Sequence, residues 1–294
     1  MTRIGFIGLG NMGLPMATNL IKASYEVTGF DLNPEVLAKF QATGGHKANS
    51  VSETALNKTV IITMLQTGEQ VKRVCLGAQG FYHLVPNALH IDCSSIDVES
   101  TQQLHQEATA HKLVMIDAPV SGGVRGAEAA TLTLMVGGEK EALELAMPYL
   151  TTIGKKIIHA GGAGAGQAAK ICNNMILGIS MVAISEAFVL AAKLGLSAEK
   201  LFEVVTNSSG QCWAMTNYAP VPDLVPAAPA SHNYQPGFSA AMMLKDLKLS
   251  QDSANAVSVQ TPIGQQVTQL YQRFVQAGDG GLDFSAIIKS LAAD

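Results

Sequence analysis

Lys170 lies in a stretch of small, apolar and amide residues, GAGQAAKICNN, at positions 164–174. Lysine is seldom buried without a partner, so a lysine in this setting needs either a route to water or a chemical role. If the stretch is helical, Asn174 lies one turn further on the same face, where an amine and an amide could contact one ligand. A lysine that extends to solvent beside an unrelated asparagine accounts for the same residues.

A second candidate site is the segment DAPVSGG, which closes an apolar run with Ser121, Gly122 and Gly123. A hydroxyl and successive backbone N–H groups can bind an anion, and a substrate carboxylate would suit them. An ordinary Ser-Gly-Gly turn is the plainer account of these residues when they are taken alone.

The segment GFIGLGNMG places three glycines in G-x-G-x-x-G spacing between an apolar strand and a helical run. Gly8 permits a tight turn, Gly10 lets the backbone approach a pyrophosphate, and Gly13 lets the helix lie close to the sheet. Asn11 and Met12 complete this predicted cofactor loop, and the pyrophosphate would lie at the positive end of the helix. The spacing in this context predicts a dinucleotide site.

Asp31 ends the second predicted strand, YEVTGFD, about 20 residues after the glycines, where an acidic side chain binds the adenosine ribose. A carboxylate there repels a 2′-phosphate, and DLNPE offers no Arg or Lys in its place. We therefore expect NAD rather than NADP. The alternative is that Asp31 only caps a helix that starts near Pro34.

The elements that must position these residues alternate between short apolar runs and helical patterns. The strand-like runs are RIGFIG, EVTGFD, TVIITML, ALHIDCS, KLVMIDAPV, LTLMVGG and KKIIHAGG. This alternation predicts an α/β fold: an N-terminal Rossmann-type, doubly wound parallel sheet over residues 1–162, followed by an all-α C-terminal domain over 163–294.

Two segments of the second half stand out. The run from Met175 to Leu196 is very apolar but contains Glu186 and Lys193, so we expect a helix buried between protein layers rather than a membrane span. The Pro-rich segment at 219–237 cannot form a continuous helix and is predicted to be a long loop, either functional or a surface excursion.

The composition of the chain limits the classes of binding partner to be expected. The 294 residues carry a formal net charge of −4, so nothing favours binding to nucleic acid or to an anionic membrane, and a small-molecule partner is expected. Four cysteines lie far apart, without CxxC or His at ligand spacing, which argues against a disulfide framework and a zinc site and favours a reducing compartment. The N-terminus already has a strand pattern, so the cytoplasm is the expected location.

The glycine loop GFIGLGNMGLPMATNL, then DAPVSGG, GQAAKICNNM and MLKDL, occur in an order that resembles the beta-hydroxyacid dehydrogenase family over essentially the whole chain. The resemblance implies that Lys170 is the catalytic lysine. It implies that substrate is held by Ser121, Gly122, Gly123 and Asn174. It further implies that the nicotinamide half of the cofactor is contacted by Met64, Leu65 and Ser95, and that Lys245, accompanied by Asp246, closes over the cofactor. Gln66 and Ser95 stand where many members have Pro and Thr.

The activity that the resemblance implies is hydride transfer from (S)-3-hydroxyisobutyrate to NAD, which gives methylmalonate semialdehyde, as in valine catabolism. As a hypothesis, neutral Lys170 accepts the alcohol proton, and Lys245 is the neighbouring cation that would favour the neutral form. The family also implies a homodimer or homotetramer.

Three alternatives stay open. A tartronate semialdehyde reductase, or a dehydrogenase for another small 3-hydroxy acid, could use the same lysine and carboxylate site, although the 219–237 loop favours hydroxyisobutyrate. Imine-reducing relatives commonly replace the lysine that is intact here. A non-catalytic NAD-binding module is the alternative from another class.

Overall fold

The computed structural model describes residues 2–292. The chain divides into two compact units, Met1–Lys170 and Ile171–Asp294. In the first unit the strands are β1 Arg3–Ile7, β2 Glu26–Phe30, β3 His46–Lys47, β4 Val60–Thr63, β5 Leu89–Asp92, β6 Val114–Asp117, β7 Val120–Ser121, β8 Leu132–Gly137 and β9 Gly154–Gly161. The helices between them are α1 Gly13–Lys22, α2 Pro34–Ala42, α3 Val51–Ala55, α4 Gly68–Leu76, α5 Val98–Ala110, α6 Gly123–Glu128 and α7 Lys140–Ile153.

The nine strands form one sheet in the order β3-β2-β1-β4-β5-β6-β8-β7, with β9 paired to β8. The strand order reverses between β1 and β4, which pair in parallel with Ile7 opposite Thr63. In open α/β sheets ligands bind outside the carboxyl ends of the strands at such a reversal. The predicted fold class is confirmed, and all seven predicted strands are present.

The alternating pattern predicted a parallel sheet, but the observed sheet is only partly parallel. Strand β8 runs antiparallel to β6 and β7. The connection from β7 to β8 contains only the short helix α6, and a parallel return requires a crossover of a dozen or more residues. Two strands, β3 and β7, are only two residues long and escaped prediction.

The central strands are buried over their whole length because helices cover both faces of the sheet. Every residue of β4 and of β5 is buried. Helix α1 supplies Met16, Ala17 and Leu20 to the core cluster on one face. This rigid layer fixes the positions of the loops that leave the carboxyl ends of the strands.

The second unit is helical. Helix α8 Ala165–Lys193 begins within the first unit, and α9 Ala198–Thr206, α10 Trp213–Tyr218, α11 Ala240–Ala256, α12 Pro262–Gln276 and α13 Ile288–Leu291 follow. Between residues 162 and 292 the structure has no strand, only an isolated bridge between Ser239 and Asp283. Its core is built from residues such as Met243, Tyr271 and Phe284.

The 219–237 segment is a loop, as predicted, and it contains a short 3-10 helix, Pro229–His232, that was not predicted. It is fastened by its own hydrogen bonds: the Tyr234 hydroxyl donates to the Pro220 carbonyl at 2.7 Å, and the Ser231 hydroxyl donates to the Val225 carbonyl at 3.1 Å. The segment is therefore an ordered loop.

Helix α8 differs from the expectation of a buried helix. Its most apolar window has a mean hydropathy of 2.1, but only 39% of that window is buried within the chain. Ile176 and Leu190 on this helix, and Leu194 just after its end, are exposed, because no other segment among the described residues covers that side. By length and composition alone such a helix could also cross a membrane, a test that core helices of soluble proteins pass as well.

Candidate active site

The glycine loop, residues 8–13, joins β1 to α1 at the reversal of strand order. Gly8 has φ +93°, and a Cβ at this position would collide with the Met64 carbonyl oxygen. A Cβ on Gly13 would collide with the Gly8 carbonyl oxygen, whereas a Cβ on Gly10 would meet no described atom within 4 Å. Gly8 and Gly13 are thus required by the protein's own backbone, and Gly10 leaves the space that a pyrophosphate needs.

The N-terminus of α1 suits an anion. Met12 is its N-cap residue, and no side chain among the described residues caps the helix there. The uncapped N–H groups and the positive end of the helix dipole favour a phosphate at this place. The loop therefore fits a bound dinucleotide.

Asp31 lies at the carboxyl end of β2. Its carboxylate accepts hydrogen bonds from the Leu9 N–H at 2.8 Å and from the Asn33 N–H at 2.9 Å. Helix α2 begins at Pro34 as expected, but its cap is Asn33, whose side chain accepts from the Glu35 N–H. The alternative that Asp31 only caps this helix is therefore wrong, and its negative charge is held beside the glycine loop.

Replacing Asp31 by asparagine tests this charge. The amide keeps one acceptor for the backbone but loses the charge that we expect to bind the ribose hydroxyls and to repel a 2′-phosphate. We expect the ratio of kcat/KM for NAD to that for NADP to fall by about tenfold or more, since hydrogen bonds to charged groups contribute about 1.5–3 kcal/mol. Glu35→Gln, which removes an exposed carboxylate close by in sequence, should leave the ratio unchanged. An unchanged ratio in Asp31→Asn would refute the assignment.

The loops after β4 and β5 are joined beside the glycine loop. The Leu65 N–H donates to the Ser94 hydroxyl at 2.8 Å, and Ser94 is buried. Met64, Leu65 and Ser95, the residues assigned to the nicotinamide half, are each partly exposed. The structure thus places these three predicted residues on two adjacent, mutually bonded loops.

Below these loops lies a buried polar chain that the sequence interpretation missed. The Tyr82 hydroxyl bonds to Nδ1 of His90 at 2.9 Å, Nε2 of His90 bonds to the Thr63 hydroxyl at 2.9 Å, and that hydroxyl donates to Asp92 at 2.7 Å. Burial lowers the pKa of His90 to about 3, so the ring is neutral. The available signal was the pair of polar residues inside the buried strand LHID.

Asp92 is the acidic member of this buried hydrogen-bond network. It is fully buried, and its Oδ2 accepts no hydrogen bond from any described residue. Burial raises its pKa to about 6, and the Asp117 carboxylate adds to the rise, although bonds from Ser94 and Thr63 oppose it. The folded protein thus retains a proton that the unfolded chain releases near pH 4.

This shift predicts a pH-dependent effect of Asp92→Asn on stability. Because the folded pKa is raised, the wild-type protein loses stability as pH rises from about 4 to 6, and the asparagine variant escapes that loss. The free energy of unfolding of the variant relative to wild type should rise by up to about 3 kcal/mol across this window and then stay constant. Urea unfolding at pH 4, 5, 6 and 7 measures it. Asp252→Asn, an exposed site, is the control, and a difference independent of pH would contradict the prediction.

The predicted carboxylate site follows β6. Gly122 and Gly123 have φ of +135° and +63°, backbone angles that residues with a side chain rarely adopt. Gly123 starts the short helix α6. Ser121 is partly exposed at the end of β7. The turn thus presents its backbone in a conformation that its two glycines make possible.

Lys170 is buried, with 8% of its surface exposed, in the second turn of α8. The alternative of a lysine that extends to solvent is therefore wrong. Asn174, one turn further, is 1% exposed; it donates to the Asp246 carboxylate and accepts from the Asn173 amide. Asp246 also lies 3.8 Å from the Lys245 ammonium. In the second unit the structure therefore brings Asn174, Lys245 and Asp246 together.

The sequence leaves two roles open for its one tryptophan, Trp213: an apolar wall near the substrate methyl group, or plain core. It is 55% exposed and stacks on Tyr218 with ring centroids 5.4 Å apart. Plain core is therefore wrong for this side chain.

Comparison with known proteins agrees with this geometry. Residues 3–162 match the NAD binding domain of 6-phosphogluconate dehydrogenase, and residues 164–291 match the NAD-binding domain of NADP-dependent 3-hydroxyisobutyrate dehydrogenase. A probable 3-hydroxyisobutyrate dehydrogenase of Mycobacterium tuberculosis is 47% identical over 293 residues, which cover 100% of this chain and 99% of the relative. The chain belongs to the beta-hydroxyacid dehydrogenase family. Like other beta-hydroxyacid dehydrogenases it is an oxidoreductase that uses NAD.

Other beta-hydroxyacid dehydrogenases agree over the full length. A 3-hydroxyisobutyrate dehydrogenase of Pseudomonas aeruginosa is 45% identical, covering 98% of both chains, and an NAD-dependent L-serine dehydrogenase of the same organism is 43% identical, covering 98% and 97%. The solved structure of the Mycobacterium tuberculosis 3-hydroxyisobutyrate dehydrogenase with L-serine has a TM-score of 0.95 at 47% identity, covering 99% of each chain. The prediction of the family from motifs is confirmed.

Proposed function

We propose that this beta-hydroxyacid dehydrogenase oxidises (S)-3-hydroxyisobutyrate to methylmalonate semialdehyde, a step of valine catabolism. The observation that carries the proposal is the burial of Lys170 one helical turn before Asn174. A buried amine and a held amide on one helix can act on one hydroxyl group. The full-length similarity to proteins named for this substrate supports the choice.

In this proposal each residue has one task. NAD, when bound, supplies the acceptor for the hydride. Neutral Lys170 takes the proton of the substrate hydroxyl during oxidation and returns it during reduction. Asn174 orients that hydroxyl: its amide nitrogen donates one hydrogen bond to Asp246, and in this proposal its second N–H donates to a substrate oxygen.

Ser121 and the N–H groups of Gly122 and Gly123 bind the substrate carboxylate and so determine which end of the molecule faces the cofactor. We assign Gly8, Gly10, Asn11, Met12, Gly13 and Asp31 to the adenosine and pyrophosphate, and Met64, Leu65, Ser95 and Lys245 to the nicotinamide half. The positive φ angles of the two glycines after Ser121 support the carboxylate site, and the open space at Gly10 supports the pyrophosphate site.

L-serine is the second candidate substrate, because one relative is named an L-serine dehydrogenase and one similar structure contains L-serine. Serine has an ammonium group where hydroxyisobutyrate has a methyl group, so the two need different surroundings. The test is kcat/KM for NAD-dependent oxidation of (S)-3-hydroxyisobutyrate, L-serine, D-glycerate and L-threonate in one assay. A preference for hydroxyisobutyrate supports the proposal, and a preference for any of the others overturns it. Binding of NADH without turnover of any of them would favour the non-catalytic module.

We further propose a cytoplasmic homodimer or homotetramer that binds neither nucleic acid nor membrane. The net charge of −4 and the exposed apolar residues on α8 support this. We keep the domain boundary at 162/163, supported by the two family matches, which end at 162 and begin at 164. Light scattering of the purified protein tests the assembly, and a monomer would refute it.

A further inference from the structure

The first turn of α8 is fixed by a buried side chain of its own. Gln167 is fully buried; its Nε2 donates to the Ser94 carbonyl at 2.7 Å, and its Oε1 accepts from the Ile96 N–H at 3.1 Å. These two backbone groups flank Ser95, which we assign to the nicotinamide half. One carboxamide therefore ties the helix that carries Lys170 to the loop after β5.

A carboxylate from the next strand end holds the same turn. Asp117, at the end of β6, accepts from the Gly164 N–H at 2.9 Å and from the Gln167 N–H at 3.0 Å. It also bonds to His105 at 2.9 Å. Asp117 opens the segment that continues to Ser121, so both loops assigned to the reacting ends of cofactor and substrate are bonded to this one turn.

Helix α8 packs in close contact with the sheet at Gly166. A Cβ on Gly166 would collide with the Met135 carbonyl oxygen of β8 and would come within 2.7 Å of the Asp117 carboxylate. The helix backbone therefore lies directly on the strand. Contact at Gly166 fixes the distance between α8 and β8. The first turn of α8 could then still rotate about the helix axis or slide along it, and the two hydrogen bonds of Gln167 oppose both motions.

We propose that Gln167 is a positioning residue that sets the place of the Lys170 amine relative to the nicotinamide-side loop. Lys170 lies three residues further along, on the same side of the helix. Misplacement of a reacting group by about 1 Å can cost about 100-fold in rate, so a small rotation of this turn is enough to matter. The inference rests on the proposed role of Lys170 as the proton acceptor.

Two variants test it. Gln167→Met keeps the volume and removes both hydrogen bonds, and we expect kcat to fall by about 100-fold with little change in the KM for NAD. Gln167→Glu keeps both bonds only while the introduced carboxyl is protonated, because its ionised form repels the Ser94 carbonyl. Burial beside Asp117 raises the pKa of that carboxyl. We therefore expect the kcat of this variant, divided by that of wild type at the same pH, to rise at least tenfold from pH 9 to pH 6.

Tyr271→Phe is the matched control, because it removes one buried hydrogen bond within the second unit, from the Tyr271 hydroxyl to the Phe284 carbonyl. It should lower Tm and leave kcat unchanged. A kcat ratio for Gln167→Glu that does not vary with pH, or a kcat for Gln167→Met within twofold of wild type, would overturn the proposal. If Gln167→Met does not fold, the pH dependence of Gln167→Glu decides alone. Lys170→Arg in the same assay separates the two claims: if it keeps wild-type kcat, the role of the lysine itself has failed.

Discussion

Replacing Lys170 by arginine should lower kcat by about 100- to 10,000-fold, the range that positioned proton transfer contributes. Arginine is slightly longer than lysine, and its guanidinium stays protonated at every pH at which the protein is folded, so it cannot accept a proton near neutral pH. The KM for NAD should change little, because the pyrophosphate and ribose are assigned to the glycine loop and to Asp31. Steady-state oxidation of (S)-3-hydroxyisobutyrate measures both constants.

Lys193→Arg makes the same substitution at the other end of the same helix, where the side chain is exposed. It should behave as wild type in kcat, KM and Tm. Lys170→Met adds a second comparison, since it removes the amine without adding volume, and it should lose kcat as Lys170→Arg does. If Lys170→Arg retains kcat within about tenfold of wild type, proton transfer by this lysine is excluded and the proposed mechanism fails.

Alanine at Gly13 should remove NAD binding and also destabilise the fold. The new Cβ would strike the Gly8 carbonyl oxygen, which belongs to backbone and cannot rotate away. Overpacking of this kind costs about 1–3 kcal/mol, and the displaced loop no longer matches a pyrophosphate. We expect the Kd for NADH to rise by more than about 100-fold and Tm to fall by several degrees. Fluorescence titration and thermal unfolding without cofactor measure the two effects.

Alanine at Gly10 separates these effects. Its Cβ would enter open space, so Tm without cofactor should stay near that of wild type, while NADH binding should weaken because the same space is needed by the pyrophosphate. Gly281→Ala, where a Cβ also meets no described atom within 4 Å, should change neither quantity. Full NADH affinity in Gly10→Ala would show that the pyrophosphate does not lie against this loop.

The elements that the sequence predicted well are those with a local signal. Apolar runs gave the seven strands, and the glycine spacing with its flanking strand and helix gave the cofactor loop. The two-residue strands β3 and β7 have too few residues to show a period, and the direction of β8 depends on the connection through α6 rather than on its own residues. The exposed side of α8 has the same apolar character as its buried side, so composition did not reveal which side the chain leaves open.

The sequence motifs indicated candidate residues of the site but not the hydrogen bonds that hold those residues in place. Lys170, Asn174 and Asp31 were visible because charged or amide groups stood in small or apolar surroundings. Gln167 stands in the same stretch as Lys170 but bonds to residues 71 and 73 positions away, and no local pattern carries such a contact. The series of buried hydrogen bonds from Tyr82 through His90 and Thr63 to Asp92 could not be predicted for the same reason.

The Asp117 carboxylate also bears on where this chain can be divided. The N–H groups that it binds at the start of α8 lie 47 and 50 residues further along, so the helix takes its cap from a strand of the sheet rather than from the residues that precede it. Cutting the chain between residues 162 and 163 would leave the helical half with an uncapped first turn and the sheet with a buried carboxylate that has lost two partners. The two family matches meet near residue 163, whereas the first compact unit extends to Lys170, so the first residues of α8 belong with the sheet that holds them.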